Sequence, residues 1–252
     1  MDEMVNGGPP GGGRQAIWEQ IREALREDIA SGRYAPGAKL PTEAALSDRF
    51  GVNRHTARRA VAALQEAGLI HVRRGAGAFV ATAPVDYRLG TRTRFAQNLT
   101  DAGQTPAREI TRLETLAVTA REAAHLEIAP GAPAHVYEGT GLADGQPLTC
   151  GHSLFPAERL PELPRHLRES RSVTEALRRC GVADYTRKWT RLTAERATGI
   201  VARTLRLPEG APVLCALSLN IGADRAPVEL GRTWFNADLV QLVVDEKSFP
   251  GA

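Results

Sequence analysis

The stretch from Leu40 to Gly68 constrains the chain most. It holds two apolar helical stripes separated only by Gly51-Val52-Asn53. Pro41-Thr42 starts the first stripe, with Thr42 as N-cap and Glu43 in the first turn, where the helix dipole favours an acid. Ala45, Leu46, Arg49 and Phe50 follow, and Gly51 stops the helix. Asn53 caps the second, in which Ala57, Ala60, Val61 and Leu64 share one face. Arg54, His55, Arg58 and Arg59 spread over the other face.

The flanks extend the pattern. Upstream, Ile17, Ile21, Leu25 and Ile29 recur every fourth residue between Gln15 and Ser31, one face of a further helix. Gly32 breaks it and Pro36-Gly37 makes a turn. Downstream, Leu69–Val72 and Ala78–Val80 are short β-prone runs around Arg73-Arg74-Gly75-Ala76-Gly77, which reads as a hairpin with a basic tip. Helix, helix–turn–helix and basic hairpin, in that order, make a winged helix-turn-helix. In such a head the second helix of the pair enters the major groove with its N-terminal residues at base edges.

The expected partner is therefore double-stranded DNA. Thr42, Asn53, Arg54, His55, Thr56, Arg58 and Arg59 are the expected contacts from the helices. Arginine forks onto guanine O6 and N7, while hydroxyl and backbone groups hold phosphates. Arg73 and Arg74 are available to phosphates or the minor groove, and Gly75 and Gly77 let the tip approach the duplex backbone. A net charge of only +3 does not weigh against this, because the placement of charge decides, not its total.

The chain divides in the sequence as follows. Residues 1–14, rich in Gly and Pro, read as a flexible tail without the layout of a signal peptide. Residues 15–82 are the head, 83–90 a linker, and 91–252 a second domain. Three scattered cysteines, Cys150, Cys180 and Cys215, show no metal or disulfide spacing and fit a reducing cytoplasm. No apolar run reaches the length of a membrane span.

The second domain carries an internal echo. Leu126-Glu-Ile-Ala-Pro-Gly-Ala-Pro133 is matched by Leu205-Arg-Leu-Pro-Glu-Gly-Ala-Pro212. Each follows a helical stretch and precedes a strand, a turn, a proline and another strand. Two helix-plus-hairpin units predict one antiparallel sheet with helices packed on it, an α+β chain overall. Capping boxes are predicted at Thr119/Glu122 and Ser172/Glu175. His125 and His135 read as packing or surface residues. No catalytic or dinucleotide motif is present, and His152 and Ser153, adjacent on a strand, point to opposite faces. The reading is of a non-enzyme without a cofactor or metal.

These residues resemble the GntR family of bacterial regulators. The likeness runs through Leu40-Pro-Thr-Glu43, Phe50-Gly-Val-Asn-Arg-His-Thr-Ala-Arg-Arg-Ala-Val61, Glu66-Ala-Gly-Leu-Ile70 and Arg73-Arg-Gly-Ala-Gly-Ala-Phe-Val80. It implies DNA contacts at Arg54, Thr56 and Arg58 and a wing at Arg74, Gly75 and Gly77. Ala44 departs from the arginine many relatives carry there. The second domain resembles the UTRA effector domain of the HutC-type branch, whose fold is shared with chorismate lyase. Asp86-Tyr87, Thr91-Arg-Thr-Arg-Phe95, Gln97-Asn98-Leu99 and Thr190-Arg-Leu-Thr-Ala194 point within that branch to regulators of phosphonate metabolism.

That resemblance implies a homodimer joined through the second domain on a palindromic operator, repressing until a small effector binds. Arginines and hydroxyls suit an oxyanion, a phosphonate or phosphate ester. Arg92, Thr93, Arg94, Phe95 and Arg191 are the expected effector residues, with Ser153 and Glu229 from the late strands by family likeness. Many relatives that sense sugar phosphates carry Arg-x-Arg where this chain has Gly139-Thr140-Gly141, so their site is not copied here.

Overall fold

The structure is a computed structural model, and it describes residues 16–73, 77–81 and 84–248; the side chains of Arg73 and Lys247 are not described. The chain separates into two compact units, Met1–Thr82 and Ala83–Ala252.

In the first unit, helices α1 (Ile17–Ala30), α2 (Glu43–Phe50) and α3 (Arg54–Glu66) precede a hairpin of β1 (Ile70–Arg73) and β2 (Gly77–Val80). The expected stripes meet: Ile21 and Leu25 of α1, Leu46 of α2 and Ala57, Ala60, Val61 and Leu64 of α3 share one core. Thr42 Oγ1 accepts from Ala45 N–H and Asn53 Oδ1 from Thr56 N–H, so both helices start where the caps predict. Gly51 ends α2 in the left-handed region, φ 63°, which makes the three-residue turn possible. Asp28 of α1 takes a 2.6 Å hydrogen bond from Arg49 of α2, and that bond holds its carboxyl below the usual range. The hairpin is anchored by Leu40 N–H to Ala78 carbonyl and Val80 N–H to Ala38 carbonyl.

The second unit is built on a six-stranded antiparallel sheet. Its strands are β4 (Pro106–Ala117), β5 (Pro133–Ala143), β6 (Gln146–Pro156), β7 (Tyr185–Arg196), β8 (Pro212–Gly222) and β9 (Pro227–Asn236), in the order β4-β5-β6-β9-β8-β7. Helix α5 (Ala120–Leu126) precedes β5 and β6; α8 (Gly199–Thr204) precedes β8 and β9. The internal echo is thus a repeated strand–helix–hairpin unit, and the two copies meet at β6 and β9. Thr119 and Glu122 form the full capping box on α5. At α7 (Val173–Arg179) only half of the expected box is present: Ser172 caps Glu175 N–H, while the Glu175 carboxylate turns to Arg178 and Arg179, which lower its pKa to about 2.

Residues 84–90 of the expected linker are packed on the second unit. Val85–Arg88 is strand β3, which pairs in parallel with β10 (Val240–Val243). The reason is apolar alternation: Val85, Tyr87 and Leu89 are buried against Phe95, Phe235 and Val240. Asn98 of α4 (Phe95–Asp101) accepts from Arg88 N–H and donates to the Arg88 and Arg94 carbonyls, tying the strand to the helix after it. Together β3, β10 and α4 cover one end of one sheet face. Helices α6 (Leu163–Ser170) and α7 pack near its other end on Tyr137 and Phe155.

His135 is a buried packing residue. Its Nε2–H donates to the Leu160 carbonyl (3.1 Å), so Nδ1 accepts from Thr115 Oγ1 (2.8 Å). Burial pushes its pKa below the ordinary 6.5. The unfolded chain therefore binds this proton more readily, and the contribution is present above pH 6.5 and lost as pH falls below it. Thermal unfolding from about pH 7.5 to about pH 5.5 should show a falling midpoint, with a shallower fall in His135→Gln. Equal slopes in the two proteins would contradict this.

Candidate DNA interface and effector cavity

In the first unit the structure sorts the expected DNA residues by what they already touch. Arg54 and His55, at the start of α3, are exposed and carry no ion pair among the described residues. Thr56 Oγ1 donates to Asn53 Oδ1, so Asn53 and Thr56 form one cap. Arg58 presents Nε and Nη2 to the Glu43 carboxylate of α2 (3.0 and 2.9 Å to Oε2), which fixes the guanidinium plane and leaves its outer edge exposed. The hydrogen bond to Glu43 raises the Arg58 pKa. Arg59 instead lies over the Trp18 ring of α1, 4.5 Å from its centroid, and serves the packing of α1 on α3. Gly77 opens β2 at φ 108°, beside the Lys39 side chain. Arg73 lies at the end of β1; Arg74 and Gly75 lie outside the described residues.

The second unit holds a cavity of about 860 Å³ on the sheet face covered by α4, α6 and α7. Arg92, Thr93, Arg94, Phe95, Ser153 and Glu229 all line it. Thr93 Oγ1 accepts from Gly90 N–H and donates to the Gly90 carbonyl, closing the loop after β3. Arg92 and Arg94 both pair with Asp184, at 2.7 and 3.2 Å. Arg94 also donates to the Tyr185 carbonyl (2.6 Å) and stacks on the Tyr185 ring. These two arginines staple the loop to the start of β7. Ser153 Oγ donates to Glu229 Oε1 at 2.7 Å, so that expected pair does meet.

Arg191 does not join them. It is exposed and lies over the Trp189 ring on the opposite face of the sheet. The cause is a register shift in β7: Arg187 opposes Asn220, but Trp189 opposes Leu219, leaving Lys188 as the extra residue. A bulge reverses the phase of alternation, and every side chain beyond it changes face. The same geometry places Arg187 in the cavity. The sequence reading missed it because strand alternation alone carries no mark of the bulge. It also missed Arg108 of β4, which stacks over the Phe95 ring (4.3 Å to the centroid) and donates to Tyr137 Oη at 3.5 Å.

Arg108 and Arg187 have no carboxylate partner among the described residues. Nη1 of Arg187 reaches Thr190 Oγ1 at 3.4 Å, and its Nε is buried without a hydrogen bond. Burial pulls the Arg187 pKa down, against the nearby Glu229 carboxylate, which supports the charge. Burial also pushes the Tyr87 and Tyr185 hydroxyls up, so both are neutral donors beside the arginines. Gly141 admits no side chain: a Cβ there would sit 2.6 Å from the Phe95 ring. An arginine at this position would displace Phe95, so the charge here comes from β4 and β7 instead. His152 lines a separate groove on the opposite face with Arg232 and Trp234, away from Ser153. Among the described residues, no group of three His, Cys, Asp or Glu is placed to hold a metal, and no helix is long and apolar enough to cross a membrane.

A winged head followed in the same chain by a sheet domain with a polar cavity is the build of a transcriptional regulator with an effector domain. The comparisons give the family. The description "Bacterial regulatory proteins, gntR family" matches residues 17–80 and "UTRA domain" matches 101–241. An HTH-type transcriptional regulator of Rhizobium meliloti is 35% identical over 231 residues, 91% of this chain and 95% of the relative. The probable transcriptional regulator PhnF of Escherichia coli K12 is 30% identical over 248 residues, 92% and 94%. The crystal structure of PhnF from Mycobacterium smegmatis shares the fold with a TM-score of 0.57 at 23% identity, covering 88% of this chain and 97% of that one. The chain belongs to the GntR family, in the HutC-type branch with a UTRA domain, and is a DNA-binding transcriptional regulator.

The stacking of Arg59 on Trp18 makes a prediction. Arg59→Ala should lower the stability of the head by about 0.5–1 kcal/mol in urea denaturation. An unchanged midpoint would remove Arg59 from the packing and return it to the DNA face.

Proposed function

We propose that the protein is a homodimeric, cytoplasmic repressor that releases a palindromic operator when a small phosphate- or phosphonate-bearing molecule fills the cavity. One observation carries the effector class: Arg108 and Arg187 line the cavity with no ion pair to a carboxylate among the described residues. A partly buried guanidinium without a direct ion pair is costly, and a bound oxyanion supplies bidentate partners. The resemblance to regulators of phosphonate metabolism agrees with this chemistry.

Release follows from the loop. The Thr91 carbonyl accepts from Arg187 N–H at 2.8 Å, and Arg92, Thr93 and Arg94 border the same cavity. An anion drawn to Arg187 bears on this loop, which leads back through β3 to the head. Binding that favours one placement of that segment shifts the population of DNA-competent dimers. In the head, Arg58 reads a base with Glu43 holding its plane, Arg54 and Thr56 read or brace beside it, and Arg73, Arg74 and Gly75 to Gly77 brace the wing.

Fluorescence anisotropy on an operator selected from random duplexes tests both halves. Ethyl phosphate or ethylphosphonate should weaken operator binding; no change with any such anion would overturn the effector class. Arg58→Ala should cost about 1–3 kcal/mol on the selected operator and little on random DNA. A uniform loss would make Arg58 a phosphate contact.

A further inference from the structure

The cavity also holds an unpaired negative charge. Glu229 on β9 accepts from Ser153 Oγ and from Asn220 Nδ2, each at 2.7 Å, and both donors are neutral. It has no lysine or arginine partner among the described residues. Arg187, Asn220 and Glu229 stand in one row across β7, β8 and β9. Neighbouring strands are about 4.8 Å apart, so the Arg187 and Glu229 backbones are separated by roughly 10 Å. The cation and the carboxylate face the same cavity without joining.

Beside Ser153, two residues along β6, the cavity floor is open. Gly151 of β6 lines the cavity, and the nearest atom to a Cβ built there is the Gly139 carbonyl oxygen at 3.7 Å. A carboxylate with only neutral donors keeps free lone pairs and lacks a direct ion pair. In a half-buried site a cation satisfies both, whereas a hydroxyl satisfies only the lone pairs.

We propose that the cavity is built for a zwitterion: a small molecule whose oxyanion is held by Arg187 and whose protonated amine is held by Glu229 and Ser153. The proposal rests on the anion site of the preceding section and adds its second pole. It names the specificity determinant: Glu229 selects for the amine among molecules that share the anion.

Calorimetric titration of the full chain with matched probes tests it. The phosphonate series is 2-aminoethylphosphonate, 2-hydroxyethylphosphonate and ethylphosphonate; O-phosphoethanolamine against ethyl phosphate repeats it for the ester. The amine probes should bind at least about ten-fold more tightly than the alkyl probes, the size expected of a hydrogen bond between charged groups. Glu229→Gln should remove that advantage, so that the amine and alkyl probes bind this variant equally. Equal affinities in the unaltered protein, a hydroxyl probe as tight as the amine, or an advantage that survives in Glu229→Gln would each overturn the proposal. Equal binding of all probes would leave the anion site standing; binding of none would remove the anion site and the proposal together. Gly151→Val keeps both poles but fills the floor beside Ser153, and should weaken binding of the amine probes while leaving the melting temperature unchanged. Full binding by that variant would place the ligand elsewhere.

Discussion

The hydrogen bond from Arg187 N–H to the Thr91 carbonyl joins the two parts of the effector unit on which the rest depends. On one side is edge strand β7, which carries Arg187 into the cavity. On the other is the loop that follows β3, the first strand after the head. The Arg94 and Arg92 contacts to Asp184 and Tyr185 reinforce the same junction. Ligand chemistry at β7 and the path of the chain toward the DNA-reading head are thereby one local structure. The loop that borders the cavity is also the loop that leaves β3.

The junction holds because β3 is packed, not loose. Its parallel pairing with β10 and the burial of Val85, Tyr87 and Leu89 make it part of the effector core. A flexible tether at this place would dissipate any displacement of the loop. In the proposed release mechanism a strand fixed on one side by β10 and on the other by Asn98 passes it on.

Much of this was legible in the sequence for definite reasons. The head's helices follow from Ile21, Leu25, Ala57, Ala60 and Leu64 at helical spacing, and their ends from Thr42, Gly51 and Asn53, which act through local geometry. The repeated unit follows from the echo around Pro133 and Pro212. What the sequence hides is register. The bulge at Lys188 has no composition cue, yet it decides that Arg187 faces the cavity and Arg191 does not. The four residues of β3 carry a real alternation, but too short a run to separate from a linker without the partner strand. Arg58 and Arg59 are adjacent and chemically identical; only the third dimension gives one Glu43 and the other Trp18.

The central claim is that Arg187 is kept charged and unpaired for a ligand, at a cost to the empty protein. Thermal unfolding of Arg187→Met, with and without a phosphonate probe, tests it most directly. Without ligand the variant should melt higher than the unaltered protein, by an amount on the order of 1–3 kcal/mol, since a buried unsatisfied donor is removed. The probe should raise the midpoint of the unaltered protein and leave the variant where it was. A variant that melts lower without ligand, or is still stabilised by the probe, would show that Arg187 serves the fold and that the anion is held elsewhere.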